Sequence, residues 1–332
     1  MIKYSFIIPV KEINNYIKES IPKILEIERN DYEIIIYPDE IDNNFNSQKT
    51  KQIASGNCGP AEKRSLAIND ANGEILVFID DDAYPEKNLL DLLDKDFEDK
   101  NIVAVGGPAI TPRNDDFWQK VSGAVFLSSI SGGNPERYIS TGKKKFVNDW
   151  PSVNLSVRKN AFITVNGFNS KYWPGEDTLF CLDLLKKTNG KILYDPDLIV
   201  YHHRRSGFKR HLKQIGQYGL HRGFFAKKYP ETSFKLKYFI PSIFFVFVVS
   251  SIFSIFFSNL LLILYGIGYI LYIVALIKAF LDIYKYETNI LICINAAYYI
   301  FFTHLIYGFN FIKGFLFTNE LKSKLRSTEL KN

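Results

Sequence analysis

Three consecutive aspartates, Asp80, Asp81 and Asp82, follow directly after the apolar run 75–79. Five apolar residues in a row predict a buried strand, so the three carboxylates stand at its C-terminal end. In an open α/β sheet, ligands bind at that edge. Three negative charges there are unfavourable without a positive partner, and a divalent cation that bridges to the phosphates of a ligand supplies one. The alternative is an acidic turn that caps the next helix.

A second group of acids, Glu176 and Asp177, follows Gly175 at the start of a helix predicted over 177–187. A carboxylate at such a position can act as a general base toward a hydroxyl group. The alternative is structural, because acids in a first helical turn interact favourably with the helix dipole by about 0.3–1 kcal/mol.

Alternating strands and helices lead up to the aspartates and continue beyond them. The predicted elements of the first half are strand 4–10, helix 13–27, strand 32–37, helix 60–72, strand 75–79, helix 86–97 and strand 102–105. This alternation predicts an α/β fold with a mostly parallel sheet flanked by helices. The second half is less regular, with strand 152–157, helix 177–187 and a strand pair at 192–194 and 198–201. The glycine signatures of dinucleotide-binding folds and P-loops do not follow the first strand, which argues against those classes.

The 332-residue chain carries a formal net charge of +6 and changes composition sharply along its length. Residues 1–235 mix charged and apolar residues as a soluble domain does. From Tyr238 the chain becomes strongly apolar and aromatic. Its three cysteines are widely spaced, so neither a disulfide framework nor a cysteine metal site is predicted, and a reducing, cytosol-facing compartment fits.

The apolar region contains two stretches long enough to cross a bilayer, 238–257 and 259–277, joined at Ser258-Asn259. Buried helices of a large soluble protein are the alternative. Ten basic residues precede these stretches, between Arg204 and Lys237. Because basic residues are retained in the cytoplasm, we expect this side to be cytoplasmic and the Ser258-Asn259 turn to face the opposite side.

A third apolar stretch, 290–317, is interrupted by polar residues, including Asn295, Thr303 and His304. A full crossing would place the basic tail 318–332 outside, against the charge rule. We therefore expect a re-entrant or interfacial segment and a cytoplasmic tail. The predicted organisation is a catalytic domain over 1–235, a membrane domain over 236–317 and the tail.

Residues 4–230 resemble the family 2 glycosyltransferases, which have the GT-A fold. The resemblance is carried by five segments in order: FIIPV, EIIIYPDE, GPAEKRSLAI, FIDDDAYP and WPGEDTLFCLDL. It implies a hexosyltransferase-type enzyme that moves a sugar, with inversion, from a nucleotide diphosphate sugar. It also implies Mg²⁺ or Mn²⁺, since a divalent metal stabilises the diphosphate leaving group as a Lewis acid.

The resemblance assigns the metal site to the aspartate triplet and a later histidine. Asp82 is expected to contact the metal directly, and Asp80 to contact it through water or to bind the ribose. Asp81, the middle position, is expected in a solvated turn beside the nucleotide. His202, after a late strand, would complete the metal shell, since imidazole suits Mn²⁺ better than Mg²⁺. The alternative for His202 is an exposed histidine in a basic run.

The nucleotide is assigned to the ends of the first two strands and the helix before the metal strand. Pro9 lies near the end of the predicted first strand. Asp39 matches the second acid of the family's usual pair, and Pro38 stands in place of the first. A simple Pro-Asp turn is the alternative. Arg64 matches a family arginine near the nucleotide, and a surface charge is its alternative.

For catalysis, the family pattern favours Asp177 as the base and Glu176 as the residue that orients the acceptor. The stretch Gln217–Arg222 lies where processive members carry a QxxRW motif and does not match it, which weakens a polymer-synthase reading.

We therefore expect a multi-pass protein of the cytoplasmic membrane with its catalytic domain in the cytoplasm. Its expected partners are a nucleotide diphosphate sugar, a lipid-linked or surface glycan acceptor and the membrane, with no nucleic acid. A nucleotidyl or phosphosugar transferase and a non-catalytic membrane scaffold are the rival hypotheses.

Overall fold

The computed structural model describes residues 1–253 and 259–321. Its strands are β1 Tyr4–Pro9, β2 Tyr32–Tyr37, β3 Thr50–Gln52, β4 Ile75–Phe78, β5 Ala83–Pro85, β6 Ile102–Gly106, β7 Ala109–Ile110, β8 Lys145–Val147, β9 Leu155–Arg158, β10 Lys191–Tyr194 and β11 Val200–His202. Its helices are α1 Asn15–Leu25, α2 Pro60–Ser65, α3 Ala67–Asp70, α4 Leu89–Asp96, α5 Phe117–Ala124, α6 Lys159–Thr164, α7 Glu176–Thr188, α8 Phe208–Lys228, α9 Pro230–Ser233, α10 Leu236–Ser251, α11 Asn259–Tyr284 and α12 Ile290–Ile312. A π-helical turn, Lys313–Phe317, follows α12.

The described residues form two compact units. The first contains residues 1–110 and 139–203, and the second contains 111–138 and 204–321. Residues 111–138 and 204–235 therefore group with the apolar helices.

The first unit is built on an eight-stranded sheet with the order β3-β2-β1-β4-β9-β6-β10-β8. Strand β1 runs parallel to both of its neighbours, β2 and β4, whereas β9 runs antiparallel to both β4 and β6. Side chains of the central strands are buried on both faces: Phe6 and Ile8 pack in one core cluster and Ile7 in the other. That explains the continuous apolar runs in the sequence. The predicted α/β class with a mostly parallel sheet is confirmed.

A small second sheet, β5-β11-β7, determines where the late histidine lies. In the register of β11 with β5, His202 is opposite Ala83, the residue after the aspartate triplet. The two strands predicted at 192–194 and 198–201 are present as β10 and β11, but the prediction that they form a pair is wrong, because β10 joins the main sheet and β11 joins the small one. Asn154 connects the two regions: its buried amide donates to the carbonyls of Pro108 (3.0 Å) and Leu198 (2.7 Å).

Two predicted elements have different bounds because side chains bond to the backbone or to one another. The predicted helix 60–72 is divided into α2 and α3, and the Ser65 hydroxyl at the division donates to the carbonyl of Ala61 (2.9 Å), a bond that bends helices. The predicted strand 152–157 begins only at Leu155, since Ser152 starts a 3₁₀ turn and bonds to Asp177.

In the second unit, two helices are long and apolar enough to cross a membrane: Asn259–Tyr284 and Ile290–Phe317. The first predicted crossing corresponds to α10, a shorter apolar helix of 16 residues, and its predicted end lies outside the described residues, as does Ser258. The second runs past its predicted end at Ile277, because Lys278 and Asp282 form an i,i+4 ion pair (2.6 Å) within the continuing helix.

Candidate active site

The carboxylates and the histidine predicted to hold a metal come together in the first unit. Asp80 and Asp82 follow the central strand β4, and β11 brings His202 beside them. One ligand atom each of Asp80, Asp82 and His202 lies within 4.8 Å of the others. His202 Nε2 is 3.1 Å from Asp82 Oδ1. Two carboxylates and an imidazole are a donor set that suits a divalent metal such as Mn²⁺, so these side chains fit the implied metal.

Arg64 is not a surface charge but a buried link between the two acidic groups. It is 4% exposed. One terminal nitrogen donates to Asp80 Oδ1 at 2.6 Å, and the other lies 3.4 Å from Glu176 Oε1. A single guanidinium therefore joins a carboxylate of the candidate metal cluster to the acid that begins α7.

The start of α7 is set by Gly175, which has a φ of +111°, a backbone conformation that favours glycine. This turn places Glu176 and Asp177 in the first helical turn. Glu176 is buried (5% exposed), whereas Asp177 is partly exposed. Burial, and then the charge of Asp177, raises the pKa of Glu176.

The Asp177 carboxylate lies in a similar but distinct environment. Burial of its carboxyl group is the largest cause of its raised pKa, and the negative charge of Asp80 also raises it. The Arg64 guanidinium and hydrogen bonds from Ser152 lower the pKa. In the described part of the chain, Asp177 Oδ1 is enclosed without a hydrogen-bond partner. A carboxylate with a raised pKa and an unbonded oxygen is a better proton acceptor than an ordinary surface aspartate.

Asp39 lies at the end of β2 and forms an ion pair with Lys63, the residue before Arg64. Lys63 is buried and also donates to the carbonyl of Tyr37 (3.2 Å). Pro9 is buried at the end of β1, in register with Tyr37. Asp39 is thus fixed by a buried ammonium group at the same sheet edge as Pro9, and the nucleotide roles of both residues stay predictions.

Asp81 lies in a turn, as expected, but its side chain is bonded within the protein rather than only solvated. Its Oδ2 accepts a hydrogen bond from Asn14 Nδ2 at 2.6 Å. Asn14 also caps α1 by accepting from the backbone of Ile17 (3.0 Å). Burial raises the pKa of Asp81, and the neighbouring Asp82 charge raises it further. Asp81 therefore anchors the aspartate turn to α1.

Sequence reasoning missed several residues that hold the site together: Lys63, Asn14, Ser152 and His203. His203 donates its backbone N–H to the carbonyl of Asp82 (3.0 Å), and its Nε2 lies 3.2 Å from Glu19 Oε2. Lys63 was the easiest of these to identify from the sequence, because it precedes Arg64 in the segment GPAEKRSLAI. The others lie far from their partners in sequence, and no local pattern marks them.

We expect Arg64→Met to destabilise the protein by about 3–5 kcal/mol, because it leaves buried carboxylates without their cation. The loss should be larger at pH 8 than at pH 5.5. Glu176 and Asp177 already have raised pKa values, and without Arg64 these rise further. The folded state then binds protons more tightly than the unfolded state, so its stability recovers as the pH falls. Chemical unfolding in detergent at both pH values measures the effect.

Arg113→Met is the matched control, since Arg113 is exposed, and it should change stability by less than about 0.5 kcal/mol. An Arg64→Met loss that is the same at both pH values would show that lost packing, not unpaired charge, is responsible.

A sequence model described as "Glycosyl transferase family group 2" matches residues 75–312, more than half of the chain. A dolichyl N-acetyl-alpha-D-glucosaminyl phosphate 3-beta-D-2,3-diacetamido-2,3-dideoxy-beta-D-glucuronosyltransferase from Methanococcus voltae is 23% identical over 278 residues, which are 82% of this chain and 78% of that protein.

Two solved structures are similar over part of their length. They are the mannosyltransferase PcManGT from Pyrobaculum calidifontis in complex with GDP-Man and Mn²⁺ (14% identity, 67% of this chain, 62% of that chain, TM-score 0.47) and S. aureus TarS 1-349 in complex with UDP-GlcNAc (18% identity, 67% and 66%, TM-score 0.41). This chain matches less than two thirds of the length of either structure.

Proposed function

The chain belongs to glycosyl transferase family group 2, which confirms the resemblance seen in its sequence, and on this premise we propose that it transfers a sugar with inversion from a nucleotide diphosphate sugar to a lipid-linked acceptor. The observation that carries the proposal is the cluster of Asp80, Asp82 and His202 at the end of β4, facing the acidic start of α7 through Arg64. The cluster would bind the diphosphate end of the donor through a divalent ion, and the α7 acids would act on the acceptor.

In the donor half of the site, Asp82 and His202 would be direct metal ligands, and the Asp80 carboxylate would be shared between the metal and the Arg64 guanidinium. A bound Mg²⁺ or Mn²⁺ would neutralise the charge that develops on the leaving diphosphate. Asp39 and Pro9, at the ends of β2 and β1, would hold the nucleoside. The buried guanidinium of Arg64 holds Asp80 in position by donating a hydrogen bond to Asp80 Oδ1.

In the acceptor half, Asp177 would take the proton of the acceptor hydroxyl as its oxygen bonds to the anomeric carbon. The bond from that carbon to the β-phosphate oxygen breaks at the same time, and its electron pair leaves with the nucleoside diphosphate. Attack opposite the leaving group inverts the anomeric centre. Asp177 suits the base role better than Glu176, because Asp177 Oδ1 has no hydrogen-bond partner among the described residues whereas Glu176 lies against Arg64. Glu176 would orient the acceptor.

A lipid-linked acceptor is supported by two observations. The name of the Methanococcus voltae relative specifies a dolichyl phosphate-linked sugar, and this chain has two helices of membrane-crossing length and apolarity. A screen of purified protein with UDP-, GDP- and dTDP-sugars would test the function, with chromatography of the nucleotide products. Release of a nucleoside diphosphate supports glycosyl transfer, and release of inorganic diphosphate would support a nucleotidyl transferase instead.

For the membrane region we propose a re-entrant or interfacial third segment and a cytoplasmic tail. The polar residues of α12 are bonded within the second unit: Thr303 lies 3.0 Å from His211 Nε2, and His304 lies 2.8 Å from the Tyr272 hydroxyl. Helix α8, which carries the exposed Lys209, Arg210 and Lys213, packs along the second half of α12. A full crossing by residues 290–317 would bring these cations toward the hydrocarbon core, which is costly.

The topology predicts that a single cysteine at position 258 is labelled by a membrane-impermeant reagent in intact cells and that one at position 327 is not. Both positions lie outside the described residues, and the prediction rests on the charges of the sequence. The native cysteines, Cys58, Cys181 and Cys293, are first replaced so that the introduced cysteine is the one labelled. Labelling at both positions would indicate three full crossings, and labelling at 327 alone would reverse the orientation.

A further inference from the structure

Exposed lysines and exposed apolar side chains lie together where α8, α9 and α10 follow one another in the second unit. Lys227, Lys228, Lys235 and Lys237 are all exposed. Between them, Phe234 is 58% exposed and Leu236 is 75% exposed. These six residues are called the junction here. Large apolar side chains beside lysines are typical of a membrane interface, where the apolar groups enter the acyl region and the lysines reach the headgroups.

Close helix packing holds the junction in place. Helix α8 lies so near α12 that a Cβ at Gly219 would come within 2.6 Å of the carbonyl oxygen of Tyr307, and one at Gly223 within 2.1 Å of that of Phe311. At the end of α8, Lys227 Nζ donates to the carbonyl of Thr318 at 2.8 Å. The end of α8 and the π-helical turn after α12 therefore lie side by side.

Aromatic contacts join α10 to the same place. The ring of Phe234 contacts those of Phe239 (5.3 Å) and Phe315 (6.2 Å), and Phe239 also contacts Phe311 (4.8 Å). Phe317, at the end of the π-helical turn, is 75% exposed and adds to the apolar surface. The junction is thus a fixed surface rather than a loose linker.

The charge of the junction favours an anionic partner. Its four lysines are accompanied by Glu231 in the same stretch of sequence and by Glu320, two residues after the Thr318 that Lys227 contacts, so positive charge is in excess. Near a membrane that contains anionic lipids, each lysine strengthens attraction about fivefold. The exposed apolar residues select a bilayer over a soluble anion, because a free phosphate gains nothing from them.

We propose that the junction sits in the headgroup layer of the membrane and binds anionic lipid headgroups in preference to zwitterionic ones. This surface belongs to the second unit alone, and the inference does not depend on the proposed sugar transfer. Its function would be to set the depth of the second unit in the bilayer.

Fluorescence quenching in proteoliposomes of the full chain tests the proposal. Leu236→Cys in a Cys58→Ser background carries a bimane label; Cys181 and Cys293 are buried. Quenching by brominated phosphatidylglycerol is compared with quenching by brominated phosphatidylcholine. We expect strong quenching and an apparent affinity at least fivefold higher for phosphatidylglycerol. A label at Phe146, an exposed residue of the first unit, is the positional control.

Replacing all four junction lysines by glutamine should bring the preference for phosphatidylglycerol close to one. The matched control replaces four exposed lysines of the first unit, Lys18, Lys87, Lys100 and Lys143, and should keep the preference. The absence of quenching at position 236 would place the junction outside the bilayer and overturn the proposal. Equal quenching by both lipids, unchanged by the lysine substitutions, would overturn the anionic preference and leave apolar contact alone.

Discussion

Asp82→Asn is expected to lower nucleotide-sugar turnover by about 10²-fold or more, because it removes a charged ligand from the cluster that would hold the metal. The protein should stay folded. Asp82 lies beside Asp80 and Asp81, so removal of its charge relieves repulsion among three acids. Asp82 is a cleaner test than Asp80, since replacing Asp80 would also unpair the buried Arg64. Turnover is measured with saturating Mn²⁺ or Mg²⁺, and unfolding temperature is measured in parallel.

Asp91→Asn is the matched control for this variant. Asp91 lies on α4 with a side chain that is 67% exposed, and it pairs with Arg29, outside the candidate metal cluster. Its turnover should equal that of the parent protein. Titration of Mn²⁺ by electron paramagnetic resonance adds a readout that does not require activity: the parent should bind the ion and Asp82→Asn should bind it more weakly. Undiminished turnover in excess EDTA would rule out the metal assignment.

The fold was predictable where local pattern and tertiary context agree. Strand 32–37 has the observed bounds of β2, because an isolated apolar run between polar segments has few other ways to bury itself. The errors lie where distant side chains intervene. Ser152 bonds to Asp177 and delays the start of β9, and β11 pairs with β5 across more than a hundred residues. Such long-range pairings leave no periodic signal in the chain.

The candidate site was predictable in its residue types but not in its connections. The triplet at the end of β4 and the acids after Gly175 were each visible in the sequence, and the structure brings both groups to Arg64. The burial of Arg64 could not be derived from a helical pattern alone, in which an arginine followed by Ser65 reads as surface. Asn14 could not be connected to Asp81, since 67 residues separate them.

Asp177→Asn is expected to lower the rate of sugar transfer by about 10²–10⁴-fold while donor affinity changes little, because a general base acts in the transition state. The substitution keeps the size of the side chain and an oxygen that can accept the hydrogen bonds from Ser152. It removes the carboxylate that would take the proton. Donor affinity is measured by calorimetry with a nucleotide diphosphate sugar and Mn²⁺, and transfer is measured in single turnovers. The activity of the parent should rise with pH as Asp177, whose pKa is raised, loses its proton.

Asp183→Asn supplies the control on the same helix. Asp183 forms an exposed i,i+4 pair with Lys187 (2.8 Å), so its loss should leave transfer unchanged and cost no more than about 0.5 kcal/mol of stability. Glu176→Gln separates the two acids of the first turn. Because Glu176 is buried against Arg64, we expect weaker acceptor binding and some loss of stability, with a smaller effect on the chemical step. A large loss of the chemical step in Glu176→Gln, together with a mild effect in Asp177→Asn, would reverse the two roles. Equal loss of donor affinity in both variants would instead assign the two acids to donor binding.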